Sequence, residues 1–177
     1  MITYEFLIKK EVDSVHELIM SVFEKHVAPG YSTSGIKKFK SLVSPSSILE
    51  RSNQTDSFVI TAKKKEKILG MLKLKNGNHV SLIFVDSDYQ GEGIGRNLIE
   101  KAIEISLERD SDISAISVCA SPNSVNFYKS LGFNETDDEL DADGMRYTPM
   151  QKQLNKETRT RQVRGISTRS APRNLSL

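Results

Sequence analysis

The chain has 177 residues, of which 37% are apolar and 27% charged, and its formal net charge is +2. That length suits one domain built on a single core, and the composition describes a soluble globular protein. No run of roughly 18 apolar residues and no basic-then-apolar leader is visible, and the one cysteine, Cys119, has no internal disulfide partner, so the expectation is a cytoplasmic protein without a membrane span.

In chain order, ITYEFLI (2–8) alternates as a strand. Asp13 is placed to cap a helix whose Val15, Leu18, Ile19, Val22 and Phe23 form one apolar stripe, and Pro29-Gly30 breaks it. A second helix is expected over Gly35 to Val43, with a further turn from Pro45 to Arg51. FVITAKKK and KILGMLKL read as two strands, and Asn76-Gly77 is a hairpin signal leading into the apolar run HVSLIFV (79–85). Leu98, Ile99, Ala102, Ile103 and Ile105 then keep near-helical spacing, with Glu100, Lys101 and Glu104 between them. ISAISVCA (113–120) is a second mostly apolar strand, which makes a parallel crossover. SPNSVNFYKSLGF (121–133) reads as a short helix with Ser121 as N-cap, Pro122 in the first turn and Gly132 as the stop. Gly132-Phe133 begins one closing strand, and Met145 to Gln153 forms the other. No internal repeat is apparent.

The positive charge is concentrated at the end. Residues 156–177 carry Lys156 and five arginines against Glu157, a balance of +5 that leaves −3 for residues 1–155. This tail has little apolar content and is expected to stay outside the core as a solvated or artificially added extension, so the domain is assigned to 1–155. Arginine-rich tails also neutralise phosphates, but a solvated extension accounts for the same residues, and nucleic acid is not expected as a partner.

Between the third of the adjacent strands and the long helix lies DSDYQGEGIGR (86–96). The first turn of a helix leaves N–H groups unpaired and carries the positive end of the dipole, so it attracts anions. Gly91, Gly93 and Gly95 remove the Cβ atoms that would hold a ligand off the backbone and permit positive φ, so a diphosphate is the expected occupant. The dinucleotide fingerprint G-x-G-x-x-G does not fit G-x-G-x-G, and the NTPase loop fails because Arg96-Asn97, not Lys-Ser/Thr, follows Gly95.

QGEGIG (90–95) resembles the [RQ]-x-x-G-x-[GA] pyrophosphate loop of the GNAT acetyltransferase superfamily, and FYKSLGF resembles its second motif, a helix ending in Y-x-x-x-G-F. The closing stretch TDDELDADGMRYTPMQKQL, together with NHVSLIFV and FEKHVAPGYS, is similar to one uncharacterised bacterial-type subgroup. The resemblance covers roughly residues 1–154. It implies an α/β fold of the α+β type: a twisted, mixed, mostly antiparallel sheet of 6–7 strands flanked by about four helices.

The resemblance also implies an acetyl-CoA-dependent N-acetyltransferase acting on a small-molecule or peptide amine, with no metal, and leaves a homodimer open. By the same resemblance Gln90, Gly91, Glu92, Gly93, Ile94, Gly95 and Arg96 hold the pyrophosphate. The backbone of Phe84 and Val85 pairs with the pantetheine arm, with an N–H there facing the thioester oxygen. Tyr128 is the candidate general acid: a phenol with a reference pKa near ~10 stays protonated at neutral pH and faces a thiolate whose reference is near ~8.5. A packed aromatic is its alternative role. Asn123 is a candidate partner for the pantetheine amides, although the subgroup commonly carries its asparagine where this chain has Cys119. Cys119 itself reads either as an acyl-carrying nucleophile or as a small buried hydrophobe.

His79 stands eleven residues before Gln90, the offset at which the lysine-acetylating branch carries its basic glutamate. It is therefore a candidate base, or else a solvated residue beside the hairpin turn. Ser81 is a candidate for ordering a water relay, and His16 and His26 read as solvated. Asp137, Asp138, Glu139, Asp141 and Asp143 form an acidic run that would attract a cationic acceptor, or would simply keep a loop soluble. Two other functions compete: an acyl-CoA-binding sensor without turnover, and nucleic-acid binding through the tail.

Overall fold

The computed structural model describes residues 1–52 and 54–154, so the basic segment 156–177 lies outside the described residues. The elements run β1 (Thr3–Phe6), α1 (Val12–His26), α2 (Thr33–Leu42), α3 (Pro45–Ser52), β2 (Phe58–Lys64), β3 (Lys67–Lys75) and β4 (His79–Val85). They continue with α4 (Ile94–Arg109), β5 (Ala115–Ala120), α5 (Val125–Ser130), β6 (Asn134–Glu135), β7 (Leu140–Ala142) and β8 (Met145–Gln153). The sheet order is β1-β2-β3-β4-β5-β8-β6, with β7 paired to the first part of β8. Every pairing is antiparallel except β4 with β5, which the α4 crossover makes parallel.

Each layer follows from where the apolar residues fall. On one side Leu98, Ile99 and Ala102 of α4 and Tyr128 of α5 pack with Ile60, Leu72 and Ile116 of the sheet. On the other, Val15, Ile19 and Phe23 of α1 and Phe39 of α2 pack with Met71 and Phe84. The strand between these cores, β3, is buried from Ile68 to Leu74, as a central strand covered on both faces must be. The Asn76-Gly77 turn forms as expected, with φ of 53° and 73°.

Three helix starts differ from the sequence expectation, each for a local reason. The first helix begins at Val12 after a 3-10 turn over Lys9–Glu11, so Asp13 sits in its first turn and does not cap it. Glu11 holds that start: one carboxylate oxygen accepts from the Ile8 N–H at 3.3 Å and the other from Lys63 Nζ at 2.8 Å. The second begins at Thr33 because Ser32 Oγ accepts from the Gly35 N–H at 3.1 Å. The short α5 begins after Ser124, since the Ser121 hydroxyl is engaged with Asn123 Oδ1 at 2.8 Å and Ser124 Oγ at 3.0 Å.

Candidate functional site

The site begins as a fault in β4. Lys73 pairs with Leu82 and Leu74 with Val80, so Ser81 is an extra residue bulged from the strand. A bulge reverses the alternation beyond it. Val80 belongs to the α4 core, whereas Leu82 and Phe84 belong to the α1 side. Pairing of β4 with β5 is confined to His79 with Ser117 and Val80 with Val118; past the bulge the two strands part, while β5 stays paired to β8.

The parted strands open a cleft of about 790 Å³, lined by Val80 to Val85, Val118 and Cys119. Its backbone is polarised by register. The Asp86 N–H donates to the Leu69 carbonyl at 2.8 Å, and hydrogen-bonded pairs alternate in an antiparallel ladder, so Phe84 and Leu82 are tied to β3. Ile83 and Val85 therefore turn their N–H and C=O groups toward the cleft. The Val85 carbonyl already accepts from Gln90 Nε2 at 3.1 Å. Of the expected pair Phe84 and Val85, only Val85 offers open backbone, and Ile83 is its neighbour in that role.

The glycine loop closes one end. Gly91 and Gly93 take φ of 85° and 81°, and Gly93 is the N-cap of α4, so the N–H groups of Ile94, Gly95 and Arg96 are the unpaired donors of its first turn. Gly95 serves a different purpose from the one its spacing suggests. It lies inside the helix, and a Cβ there would stand 3.0 Å from Phe127 Cζ, so its missing side chain admits α5 and not a left-handed turn. Gln90, Glu92 and Arg96 are exposed around the loop, whereas the Ile94 side chain is in the core.

Tyr128 lines the same cleft and is 3% exposed. Burial, and next the nearby Cys119 thiol, push its phenol well above the usual tyrosine value. Cys119 is exposed in the cleft, so of its two alternatives the small buried hydrophobe does not hold; the surrounding walls still push its pKa up by desolvation, while the Lys75 charge pulls it down. Asn123 has both amide ends engaged, donating to the His26 carbonyl at 3.0 Å and accepting from Ser121 at 2.8 Å.

The two histidines exchange the positions expected of them. His26 lines the cleft at the end of α1, with Nε2 3.0 Å from Ser87 Oγ. His79 is half-buried outside the cleft lining, with Nδ1 2.9 Å from Ser117 Oγ, and burial and then the Lys75 charge lower its pKa. Ser81 donates to the Lys73 carbonyl at 3.3 Å. His26 falls within the FEKHVAPGYS resemblance, but its place at the cleft is not legible there, because its neighbours Ser87 and Asn123 are 61 and 97 residues away in the chain.

The acidic run spans the connection from β6 into the β7–β8 hairpin, and none of its five carboxylates lines the cleft. Glu139 accepts from Arg146 Nε at 2.7 Å, Asp143 is paired with Lys38, and Asp141 accepts from the Gly144 N–H at 2.7 Å. The hairpin tip is anchored to α2 through the Ser32 N–H, which donates to the Gly144 carbonyl at 3.0 Å. Among the described residues no group of three or more His, Cys, Asp or Glu side chains is arranged to hold a metal ion, and no helix is long and apolar enough to cross a membrane.

Known proteins share this fold. Residues 27–154 match the acetyltransferase (GNAT) domain family. The chain is 33% identical over 87 residues to the chloroplastic GCN5-related N-acetyltransferase 2 of Arabidopsis thaliana, covering 47% of this chain and 31% of that protein. It is 29% identical over 77 residues to the peptidyl-lysine N-acetyltransferase YjaB of Escherichia coli K12, covering 44% and 49%. It thus spans less than half the length of either relative. A PaiA N-acetyltransferase from Thermoplasma acidophilum, solved in complex with coenzyme A, superposes with a TM-score of 0.72 at 18% identity over 86% of this chain and 99% of that one. With the family match covering most of the chain, and a parted parallel strand pair between glycine loop and tyrosine, the protein belongs to the GNAT acetyltransferases.

Proposed function

We propose that this chain is an acetyl-CoA-dependent N-acetyltransferase in which an amine attacks the thioester directly. The gap between β4 and β5 carries the reading, because it joins three unlike devices in one cleft: the N-terminus of α4, the backbone of Ile83 and the N–H of Val85 turned away from β3, and Tyr128. When bound, acetyl-CoA supplies an activated acyl group on a thiol leaving group. The N–H groups of Ile94, Gly95 and Arg96, with the loop from Gln90 to Gly93, are suited to the diphosphate, and the Arg96 guanidinium adds a cation beside it. Ile83 and Val85 present an unpaired strand edge to the pantetheine amides, and an N–H fixed there polarises a carbonyl without reorganisation.

The raised phenol of Tyr128 shapes its role. Even with reference values, passing a proton from phenol to thiolate is uphill by about 2 kcal/mol. Tyr128 therefore acts first as a hydrogen-bond donor to the developing thiolate, and gives up its proton only as desolvation raises the basicity of the sulfur as well. His26 is the imidazole at the cleft and takes the amine proton, while His79 is hydrogen-bonded to Ser117 where β4 and β5 are still paired, away from the cleft. A peptide lysine, the acceptor in the name of the Escherichia coli relative, and a small free amine both suit the open mouth near Val27 and Tyr31. Calorimetry with acetyl-CoA and thiol release across a panel of small amines and lysine peptides test the proposal. Saturable binding with amine-dependent release is expected, and binding without release for any amine would return the chain to the sensor reading.

A further inference from the structure

The chain contains one cysteine, and the fold puts it in the cleft. Cys119 sits on β5 directly across the gap from β4, exposed, between Val118 and Ala120, whose register places them in hydrogen-bonded pairs with Met150 and Thr148 of β8. Its neighbour Tyr128 is 3% exposed and lines the same cleft, and its phenol has no hydrogen-bond partner among the described residues. That phenol is a donor offered to the cleft without a protein partner, so it marks where a ligand's polar atom, the sulfur of coenzyme A in the proposed function, would be hydrogen-bonded.

We propose that Cys119 is a modification site for coenzyme A disulfide, forming a mixed disulfide that blocks the cleft until a thiol reductant removes it. This rests on the reading of the cleft as a coenzyme A site. The Cys119 thiolate attacks one sulfur of the disulfide. A bond forms between Cys119 Sγ and that sulfur, the original S–S bond breaks, and the second coenzyme A departs as thiolate and takes up the proton that Cys119 lost. Cys119 is oxidised and the departing sulfur reduced, so no further oxidant is needed. The thiol is not acid-activated, since burial pushes its pKa up. Selectivity must come from placement: the nucleotide half of the reagent is held by the α4 N-terminus while the disulfide lies along Ile83 and Val85.

The test is intact-mass labelling of the full chain with coenzyme A disulfide and, separately, with glutathione disulfide, alongside acetyl-CoA calorimetry on the same protein. With a single cysteine, a mass gain of one coenzyme A less two hydrogens assigns the adduct without a variant. Coenzyme A disulfide is expected to label faster by about 10² or more, the low end of what tethering supplies. Excess acetyl-CoA should slow the labelling, and dithiothreitol should restore acetyl-CoA binding. If acetyl-CoA binds but the two disulfides label at similar rates, the Cys119 inference is wrong and the function stands; a bare acetyl adduct would overturn both the inference and the direct attack. If acetyl-CoA does not bind, both fall.

Discussion

Gly93 separates two effects that a single loop variant would confound. It takes φ of 81°, and a Cβ added there would meet no atom within 4 Å, so Gly93→Ala meets backbone strain and no clash. Left-handed backbone costs a non-glycine residue about 1–2 kcal/mol, which for a chain of this size lowers Tm by roughly 2–8 °C. The loop remains open to a ligand, so acetyl-CoA binding should weaken only modestly. Gly93→Glu carries the same strain and adds a carboxylate beside the α4 N-terminus, where it competes for the donors meant for phosphate and repels the ligand. The two variants should therefore melt alike and bind very differently, with Gly93→Glu showing no saturable heat. Thermal denaturation and calorimetry on both proteins check this. A parental Tm for Gly93→Ala would refute the strain argument, and parental affinity for Gly93→Glu would refute the diphosphate assignment.

Tyr128→Phe should lower kcat by roughly 10²–10⁴ with little change in acetyl-CoA affinity, read from steady-state kinetics and calorimetry. His26→Ala should lower kcat by roughly 10²–10⁴, whereas His79→Gln should leave it near the parental value, read from steady-state kinetics; the opposite pattern would reinstate His79 as the base. His79 should also mark the stability curve. Its folded pKa lies below the unfolded value, so the unfolded state binds more protons in that interval, and stability falls as pH drops from about 6.5 through the folded pKa. Chemical denaturation at pH 7 and pH 5 should show a smaller loss for His79→Gln than for the parent. Replacing Asp138 and Glu139 by Asn and Gln should leave the amine KM close to the parental value, because neither lines the cleft; a clear rise at low salt would show that the hairpin's field reaches the acceptor.

What the sequence reveals and hides divides along a physical line. The loop, α4 and the closing motif are local patterns, so QGEGIG, the Leu98–Ile105 stripe and FYKSLGF announce them directly. The bulge at Ser81 leaves no mark, because it exists only as a mismatch of register between two strands. The open backbone of Ile83 follows from that mismatch and is equally hidden. The exposure of Cys119 is more accessible: Ser117 and Cys119 alternate with Ile116, Val118 and Ala120, a period of two that a uniformly apolar reading of ISAISVCA passes over. In sequence the acidic run reads as a free electrostatic funnel because its partners lie elsewhere, Lys38 on α2 and Arg146 on the returning strand.

The central claim is that the opening behind Ser81 holds acetyl-CoA on the backbone of β4 and the first turn of α4. Amide chemical shifts of the isotope-labelled protein titrated with acetyl-CoA test it directly. Saturable changes are predicted at Ile83, Val85 and Gly91 to Arg96, with smaller ones at Phe84, whose N–H is committed to β3. Changes confined to the opposite end of the sheet, around Asn76 and Arg109, or no saturable change at all, would contradict it.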